Sequence, residues 1–110
     1  MSDDVQTRIK QLIETNKVIL FMKGTKSFPQ CGFSNACVQI LKKEGVTFET
    51  VNVLADPLIR QGIKDFSKWP TVPQLYVNGK FLGGSDIVTE MHQSGELSRE
   101  LVAAGLKAAS

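Results

Sequence analysis

The most restrictive feature of this sequence is a short run, Val18 to Met22, in which every residue is apolar. A strand that is apolar on both faces must be covered on both faces, which places it inside a sheet with helices on either side. Apolar residues at helical spacing precede the run (Val5, Ile9, Leu12, Ile13) and follow it (Phe33, Ala36, Cys37, Ile40, Leu41). The sequence therefore predicts an α/β fold built around this strand.

Three further strands are predicted downstream. The segment from Phe48 to Val53 forms the second strand, and because a helix joins it to the first, the two should be parallel with a right-handed crossover. Asn78-Gly79 lies between Gln74–Val77 and Lys80–Leu82 and is a strong signal for an antiparallel hairpin. We expect a four-stranded mixed sheet with helices on both faces.

Three more helices complete the expected order α-β-α-β-α-β-β-α-α. Asp56 followed by Pro57 is a strong helix start, because the carboxylate can cap the helix and proline suits its first turn. After Gly83-Gly84, Ser85 or Asp86 is expected to cap the next helix, and Ser94-Gly95 precedes the last one.

Length and charge exclude several classes of protein. The chain of 110 residues suits a single domain over residues 1–110, and an apolar run of five residues is far short of the ~20 that a membrane helix needs. With a net charge of +2 and Lys42-Lys43 as the only basic pair, no nucleic-acid partner is expected. The start MSDDVQTRIK lacks the apolar core of a secretory signal, which favours a bacterial cytoplasm. The plastid stroma or mitochondrial matrix would fit if a leader had been removed.

Cys31 is the candidate for chemistry. Two cysteines and one histidine are too few for a disulfide-rich domain or a four-ligand zinc site. Cys31 directly precedes the predicted second helix, whose first N–H groups carry partial positive charge and lower the pKa of a thiol. Lys23, at the end of the preceding strand, adds positive charge. We expect a thiolate that attacks disulfides and binds soft metals; the alternative is a buried, inert thiol.

Intramolecular disulfide cycling is not expected at this position. A dithiol site would carry its second cysteine three residues on, where this chain has Ser34, and a hydroxyl is not ionised at neutral pH. Cys37 lies on the inner stripe of the same helix. We expect it to pack in the core, and the alternative is a slow, secondary role in resolving a mixed disulfide.

The motif Cys31-Gly32-Phe33-Ser34 resembles that of the monothiol glutaredoxins. The supporting motifs are Phe21-Met22-Lys23-Gly24, Trp69-Pro70-Thr71-Val72-Pro73 and Gly83-Gly84-Ser85-Asp86, and the resemblance extends from the first helix to about Leu101. The segments Phe28-Pro29-Gln30, Val53-Leu54-Ala55-Asp56-Pro57 and Arg60-Gln61-Gly62 are most similar to the cyanobacterial and plastid branch. The resemblance implies a thioredoxin-like fold.

The resemblance also implies a groove for glutathione, a tripeptide with two carboxylates and one amine. Lys23 and Arg60 would bind its glycine carboxylate, with Lys64 in support. A cis bond before Pro73 would let the backbone of Val72 pair with the cysteinyl unit, as an added strand does. The alternative for each charged residue is a solvated surface position, and for Pro73 an ordinary trans bond at an edge strand.

At the other end of the implied groove, Ser85 and Asp86 would hold the γ-glutamyl unit. N–H groups at the helix start would bind its carboxylate, and Asp86 would bind its amine. The alternative for Asp86 is helix capping alone. Many family members have cysteine where this chain has Ser85, so a third thiol is absent here while the backbone contacts stay available.

Three functions remain open. A [2Fe–2S] cluster takes four thiolates, so two chains, each with Cys31 as its metal ligand, and two glutathione molecules would form a cluster-bridged homodimer that delivers clusters to apo iron–sulfur proteins. The resemblance favours this role. The second function is a glutathione-dependent thiol–disulfide oxidoreductase with Cys31 as nucleophile. The third is a module that senses iron or redox state by docking another protein.

Overall fold

The structure, a computed structural model, describes residues 2–108, with side chains from Asp4 onward. Its strands are β1 (Val18–Met22), β2 (Glu49–Asn52), β3 (Gln74–Val77) and β4 (Lys80–Gly83). Its helices are α1 (Ser2–Thr15), α2 (Gly32–Glu44), α3 (Pro57–Ser67), α4 (Ser85–Ser94) and α5 (Glu96–Ala103). None of the helices in this described part is long and apolar enough to cross a bilayer.

The four strands form one sheet in the order β2-β1-β3-β4. β1 is parallel to β2 and antiparallel to β3, and β3 is antiparallel to β4. The predicted order of elements and the mixed sheet are thus confirmed. β2 is shorter than predicted: Phe48 and Val53 fall outside it, although both side chains are buried and the Val53 N–H still bonds the Met22 carbonyl at 2.9 Å.

Helices cover both faces of the sheet, as the apolar run of β1 requires. Alternate residues of β1 point to opposite faces, so Leu20 joins a core cluster with α2, α4 and α5, while Phe21 joins a second cluster with α1 and α3. Every residue of β1 is buried. The carboxyl end of this rigid strand leads directly into the loop that carries Cys31.

The N-cap predicted for α3 is confirmed, whereas the one predicted for α4 is not. The Asp56 carboxylate caps α3 by accepting the Ile59 N–H at 3.2 Å, as expected, and a salt bridge from Arg8 holds that carboxylate at 3.0 Å. The cap predicted for α4 was wrong: Gly84 is the N-cap, and neither Ser85 nor Asp86 caps the helix through its side chain. Both residues instead lie in the first turn of α4.

Candidate functional site

Cys31 is the N-cap residue of α2, with extended backbone angles (φ −150°, ψ 136°). Its carbonyl accepts the first helical hydrogen bond, from Asn35 N–H at 2.9 Å, and its side chain is partly exposed. The sulfur of Cys31 does not cap α2 with a hydrogen bond of ordinary geometry to a backbone N–H of the first turn. The sulfur therefore lies at the positive end of a helix and remains accessible to an incoming reactant.

The surroundings of the sulfur lower the pKa of Cys31. The largest contribution is the N–H of Ser34, which outweighs the partial desolvation that raises the pKa. The N–H of Phe33, the positive charge of Lys23 and the Ser34 hydroxyl lower it further. All these groups favour the negatively charged form, so the direction of the shift in the Cys31 pKa is the one expected from the sequence.

The loop between β1 and α2 is held by side chains from both of its neighbours. The Ser34 hydroxyl oxygen, fully buried, accepts the Lys23 N–H at 3.0 Å. Asn52, at the end of β2, accepts the N–H of Gly24 at 2.9 Å through its side-chain oxygen. Gly24 has φ +92°, and a Cβ there would lie 2.5 Å from the Gln30 N, so only glycine fits this turn.

A cavity of about 510 Å³ opens beside the sulfur. Every residue that the sequence analysis assigned to the groove lines it: Lys23, Cys31, Arg60, Lys64, Val72, Pro73, Ser85 and Asp86. These residues come from elements far apart along the chain, and the fold brings them together. The cationic side chains of Lys23, Arg60 and Lys64 line one part of the cavity wall, and the first turn of α4 forms a second part.

Two aromatic side chains line the cavity beside the thiol, Phe33 and Trp69. Phe33 lies on the rim of the cavity with 63% of its surface exposed, rather than in the core. Trp69 also lines the cavity, 38% exposed, and packs against Phe81 with ring centroids 6.2 Å apart. The cavity thus combines charged groups at its ends with apolar rings beside the thiol.

The expected cis bond is present between Val72 and Pro73. The Val72 side chain is buried, and within residues 2–108 neither its N–H nor its carbonyl forms a hydrogen bond. Such an unpaired backbone segment facing a cavity suits an extended peptide that pairs with it as an additional strand. Gly84 permits close packing here, since a Cβ on it would lie 3.2 Å from the Pro73 carbonyl oxygen.

Sequence reasoning missed two residues that shape the site, Asn52 and Gln74. Asn52 holds the Gly24 turn, as described above. Gln74 is fully buried at the start of β3, and its side-chain amide bonds the wall formed by residues 69–73. The available signal was a polar residue next to apolar ones in the sequence: Asn52 lies between Val51 and Val53, and Gln74 precedes Leu75.

Cys37 belongs to the core, as predicted. Its side chain is fully buried in the cluster beneath α2, and burial, followed by the nearby charge of Cys31, raises its pKa to about 12. No cluster of three or more His, Cys, Asp or Glu side chains suited to a metal occurs in the part of the chain that the structure describes. Of the two cysteines, Cys31 alone has a partly exposed side chain.

Comparison with known sequences identifies one family. Residues 18–82 match the family model described as Glutaredoxin. A ycf64-like monothiol glutaredoxin of Synechocystis is 60% identical over 101 residues, which cover 92% of this chain and 94% of the relative. The chloroplastic monothiol glutaredoxin-S14 of Arabidopsis thaliana is 50% identical over 101 residues, 92% of this chain and 58% of the relative.

Solved structures agree with these relatives. Reduced poplar apo GrxS14 is 52% identical and superposes with a TM-score of 0.81, covering 91% of this chain and 92% of that one. A buckwheat glutaredoxin–glutathione complex superposes with a TM-score of 0.86 over 97% of this chain and 96% of that one, at 24% identity. The second likeness establishes the shared thioredoxin-like glutaredoxin fold.

Proposed function

Because the chain belongs to the monothiol glutaredoxins, we propose that it binds glutathione in the cavity beside Cys31. The observation that carries this proposal is the arrangement of one activated thiol, an unpaired backbone segment and two charged ends around about 510 Å³ of space. Glutathione has a thiol at its centre and a carboxylate at each end. The cavity therefore offers a partner for every polar part of this tripeptide.

Each end of the ligand has a chemically matched partner. Lys23 and Arg60, with Lys64 in support, bind the glycine carboxylate through charge-assisted hydrogen bonds. The first N–H groups of α4 bind the γ-glutamyl carboxylate, and Asp86 binds the adjacent amine. Since Gly84 is the N-cap and the Ser85 and Asp86 side chains do not cap the helix, both are available at the cavity.

The backbone of Val72 binds the cysteinyl unit of glutathione by pairing with its N–H and carbonyl. This pairing fixes the direction of the tripeptide and brings its sulfur towards Cys31. Pro73 supports the arrangement as the rigid residue that follows.

We further propose that the physiological cargo is a [2Fe–2S] cluster held between two copies of this chain. A cluster of this type takes four thiolates, and each chain offers one accessible thiol. Cys31 from each copy and one glutathione from each cavity complete the set. Two of the four ligands are not covalently part of the protein, so the cluster is labile and suited to transfer to apo iron–sulfur proteins.

No second residue of α2 is expected to form a disulfide with Cys31, which leaves its thiol free for such a role. Ser34 cannot form a disulfide with Cys31, and Cys37 is buried and protonated. Neither competes for the thiolate at neutral pH. As the place of action we propose a bacterial cytoplasm, in line with the 60% identical relative from a cyanobacterium. Relatives at 50% and 52% identity are chloroplastic and mitochondrial, so fractionation of the source cells is the test.

Anaerobic reconstitution with iron, sulfide and glutathione tests the cluster proposal. We expect a brown protein that elutes as a dimer, and a colourless monomer when glutathione is omitted. Cys31→Ser should remain colourless, whereas the matched variant Cys37→Ser should form the cluster. A colourless monomer from the wild-type protein with glutathione present would count against the cluster role. Calorimetric titration with glutathione tests the binding step separately.

A second candidate function, thiol–disulfide exchange, is favoured by the lowered pKa of Cys31. The thiolate attacks the glutathione sulfur of a mixed disulfide, forming a Cys31–glutathione disulfide and releasing the other thiol. A second glutathione thiolate then attacks this disulfide, yielding oxidised glutathione and restoring Cys31. A glutathione-dependent reductase assay on a small mixed disulfide, with Cys31→Ser as the blank, measures this activity. A rate equal to the blank would exclude it.

A further inference from the structure

Gln74 is a polar residue in a place where the fold otherwise buries apolar ones. It begins β3, directly after Pro73, and none of its surface is exposed. Its strand neighbour on the same face is Tyr76, which packs in the core cluster formed with α1 and α3. Burying an amide costs free energy unless its donors and acceptor are paired, so the partners of Gln74 show what holds it there.

The side chain of Gln74 is part of a hydrogen-bond network that joins the loop after α3 to β3. Its side-chain N–H₂ donates to the carbonyls of Thr71 at 3.0 Å and Trp69 at 3.3 Å. Its side-chain oxygen accepts the Tyr76 hydroxyl hydrogen at 3.1 Å. The N–H of Trp69 in turn bonds the Ser67 hydroxyl oxygen at 3.1 Å. The network therefore ties the loop after α3 to the rigid strand β3.

That loop, residues 69–73, is the wall of the cavity that carries the unpaired backbone of Val72. The Thr71 carbonyl belongs to the same planar peptide unit as the Val72 N–H, so the Gln74–Thr71 bond fixes the orientation of that N–H. On its far side the wall packs against Gly84, the N-cap of α4. A shift of the wall would therefore change the distance between the Val72 backbone and the first turn of α4.

We propose that Gln74, held by Tyr76, is a positioning residue that sets the cavity wall at the spacing an extended tripeptide needs. Gln74 does not line the cavity, so it acts through Val72. The inference rests on the proposed function in taking that tripeptide to be glutathione. The proposal assigns two tasks to two regions of the fold. β3 and the hydrogen bonds of Gln74 position the cavity wall, while the start of α2 lowers the pKa of the thiol.

The wall can be observed without any ligand, because Trp69 is the only tryptophan in the sequence. Gln74→Met keeps the length of the side chain and removes both donors and the acceptor. We expect quenching of Trp69 fluorescence by acrylamide to increase markedly in this variant, well below its melting temperature. Gln11→Met, the same change at an exposed position of α1, should quench like the wild type.

Glutathione titration then measures the consequence for binding. Loss of these hydrogen bonds should weaken glutathione binding by about tenfold, as expected for roughly one net hydrogen bond. The pH dependence of Cys31 alkylation should be unchanged, because the groups that act on the sulfur lie on α2 and at the end of β1. A residue needed only for global stability would lower the melting temperature and leave native-state quenching and affinity unchanged.

Tyr76→Phe provides a milder test, since it removes only the hydroxyl that orients the Gln74 amide, and it decides the matter if Gln74→Met fails to fold. A folded variant with wild-type quenching and wild-type affinity overturns the inference. If quenching increases in Gln74→Met but the wild-type protein itself does not bind glutathione, the proposed function fails and the ordering of the wall by Gln74 stands.

Discussion

The protein carries one thiol directly before α2 and one inside it, and the pKa values of the two thiols are shifted in opposite directions. Cys31 lies before the first turn of α2, partly exposed, with a lowered pKa. Cys37 lies six residues further along, fully buried, with a pKa raised to about 12. The same side chain is partly exposed and more readily ionised in one region, and buried as part of the apolar core in the other. Position relative to the helix start and to solvent, rather than residue type, determines the difference.

The largest expected effect is on thiol reactivity itself. In the native protein at neutral pH, Cys31→Ser should abolish reaction with iodoacetamide, because the remaining thiol is buried and protonated. Cys37→Ser should still form one adduct at the wild-type rate, although a hydroxyl in that apolar site lowers stability by about 1–3 kcal/mol. Mass spectrometry of the labelled proteins counts the adducts. Fast native labelling of Cys37 would erase the contrast between the two regions.

The second prediction uses alkaline pH. A thiol with a pKa of about 12 in the folded state and an ordinary value near 9.0 when unfolded keeps its proton in the fold and loses it on unfolding. Its contribution to stability is therefore complete below pH 9.0 and is lost as pH rises towards 12. Between pH 9 and 10 the contribution should fall by up to ~1.4 kcal/mol.

Urea unfolding at a series of pH values, compared with Cys37→Ala, checks this dependence. The alanine variant should show a flatter decline, since it has no group to ionise at that position. Tyr76, whose pKa burial also raises to about 12, contributes equally to both proteins and cancels in the comparison. Parallel declines in the two proteins would show that Cys37 ionises freely in the fold.

Ser34→Ala tests how the region around Cys31 is built. The variant removes the acceptor of the Lys23 N–H and the hydroxyl beside the sulfur. We expect a loss of about 1–3 kcal/mol in unfolding free energy, because a partly buried donor loses its partner. The pKa of Cys31 should rise only slightly, since the hydroxyl is the smallest of the groups that lower it. Ser98→Ala, at a half-exposed position of α5, is the control. An unchanged pH profile of Cys31 alkylation would remove the Ser34 hydroxyl, but not the Ser34 N–H, from the activating groups.

The smallest expected effect comes from Lys23→Gln. Its charge contributes less to the lowered pKa of Cys31 than the Ser34 and Phe33 N–H groups, so the pKa should rise only slightly. Lys64→Gln is a matched control, because Lys64 lines the same cavity but is not among the groups that shift this pKa. The alkylation rate measured against pH distinguishes the two. Equal shifts in both variants would point to the net charge of the cavity rather than to Lys23.

Sequence reasoning predicted more of the fold than of the site's supports. The strand boundaries of β1 and β3 and the cap at Asp56 follow from local patterns and agree with the structure. The cap predicted for α4 was wrong because the N-cap is Gly84, one residue before Ser85, and the backbone of this glycine packs against the cavity wall. The grouping of Arg60, Val72 and Asp86 came from family resemblance, since no local pattern relates residues on separate elements.

The sequence by itself determined the order of the elements and the presence of a thiol before a helix, because both depend on periodicity and on groups a few residues apart. Only the tertiary structure decided which polar residues hold the site together. Asn52 and Gln74 bind main-chain atoms of loops that meet them in space. Main-chain N–H and carbonyl groups occur at almost every position, so residue type does not indicate which of them a side chain will meet until the elements are packed.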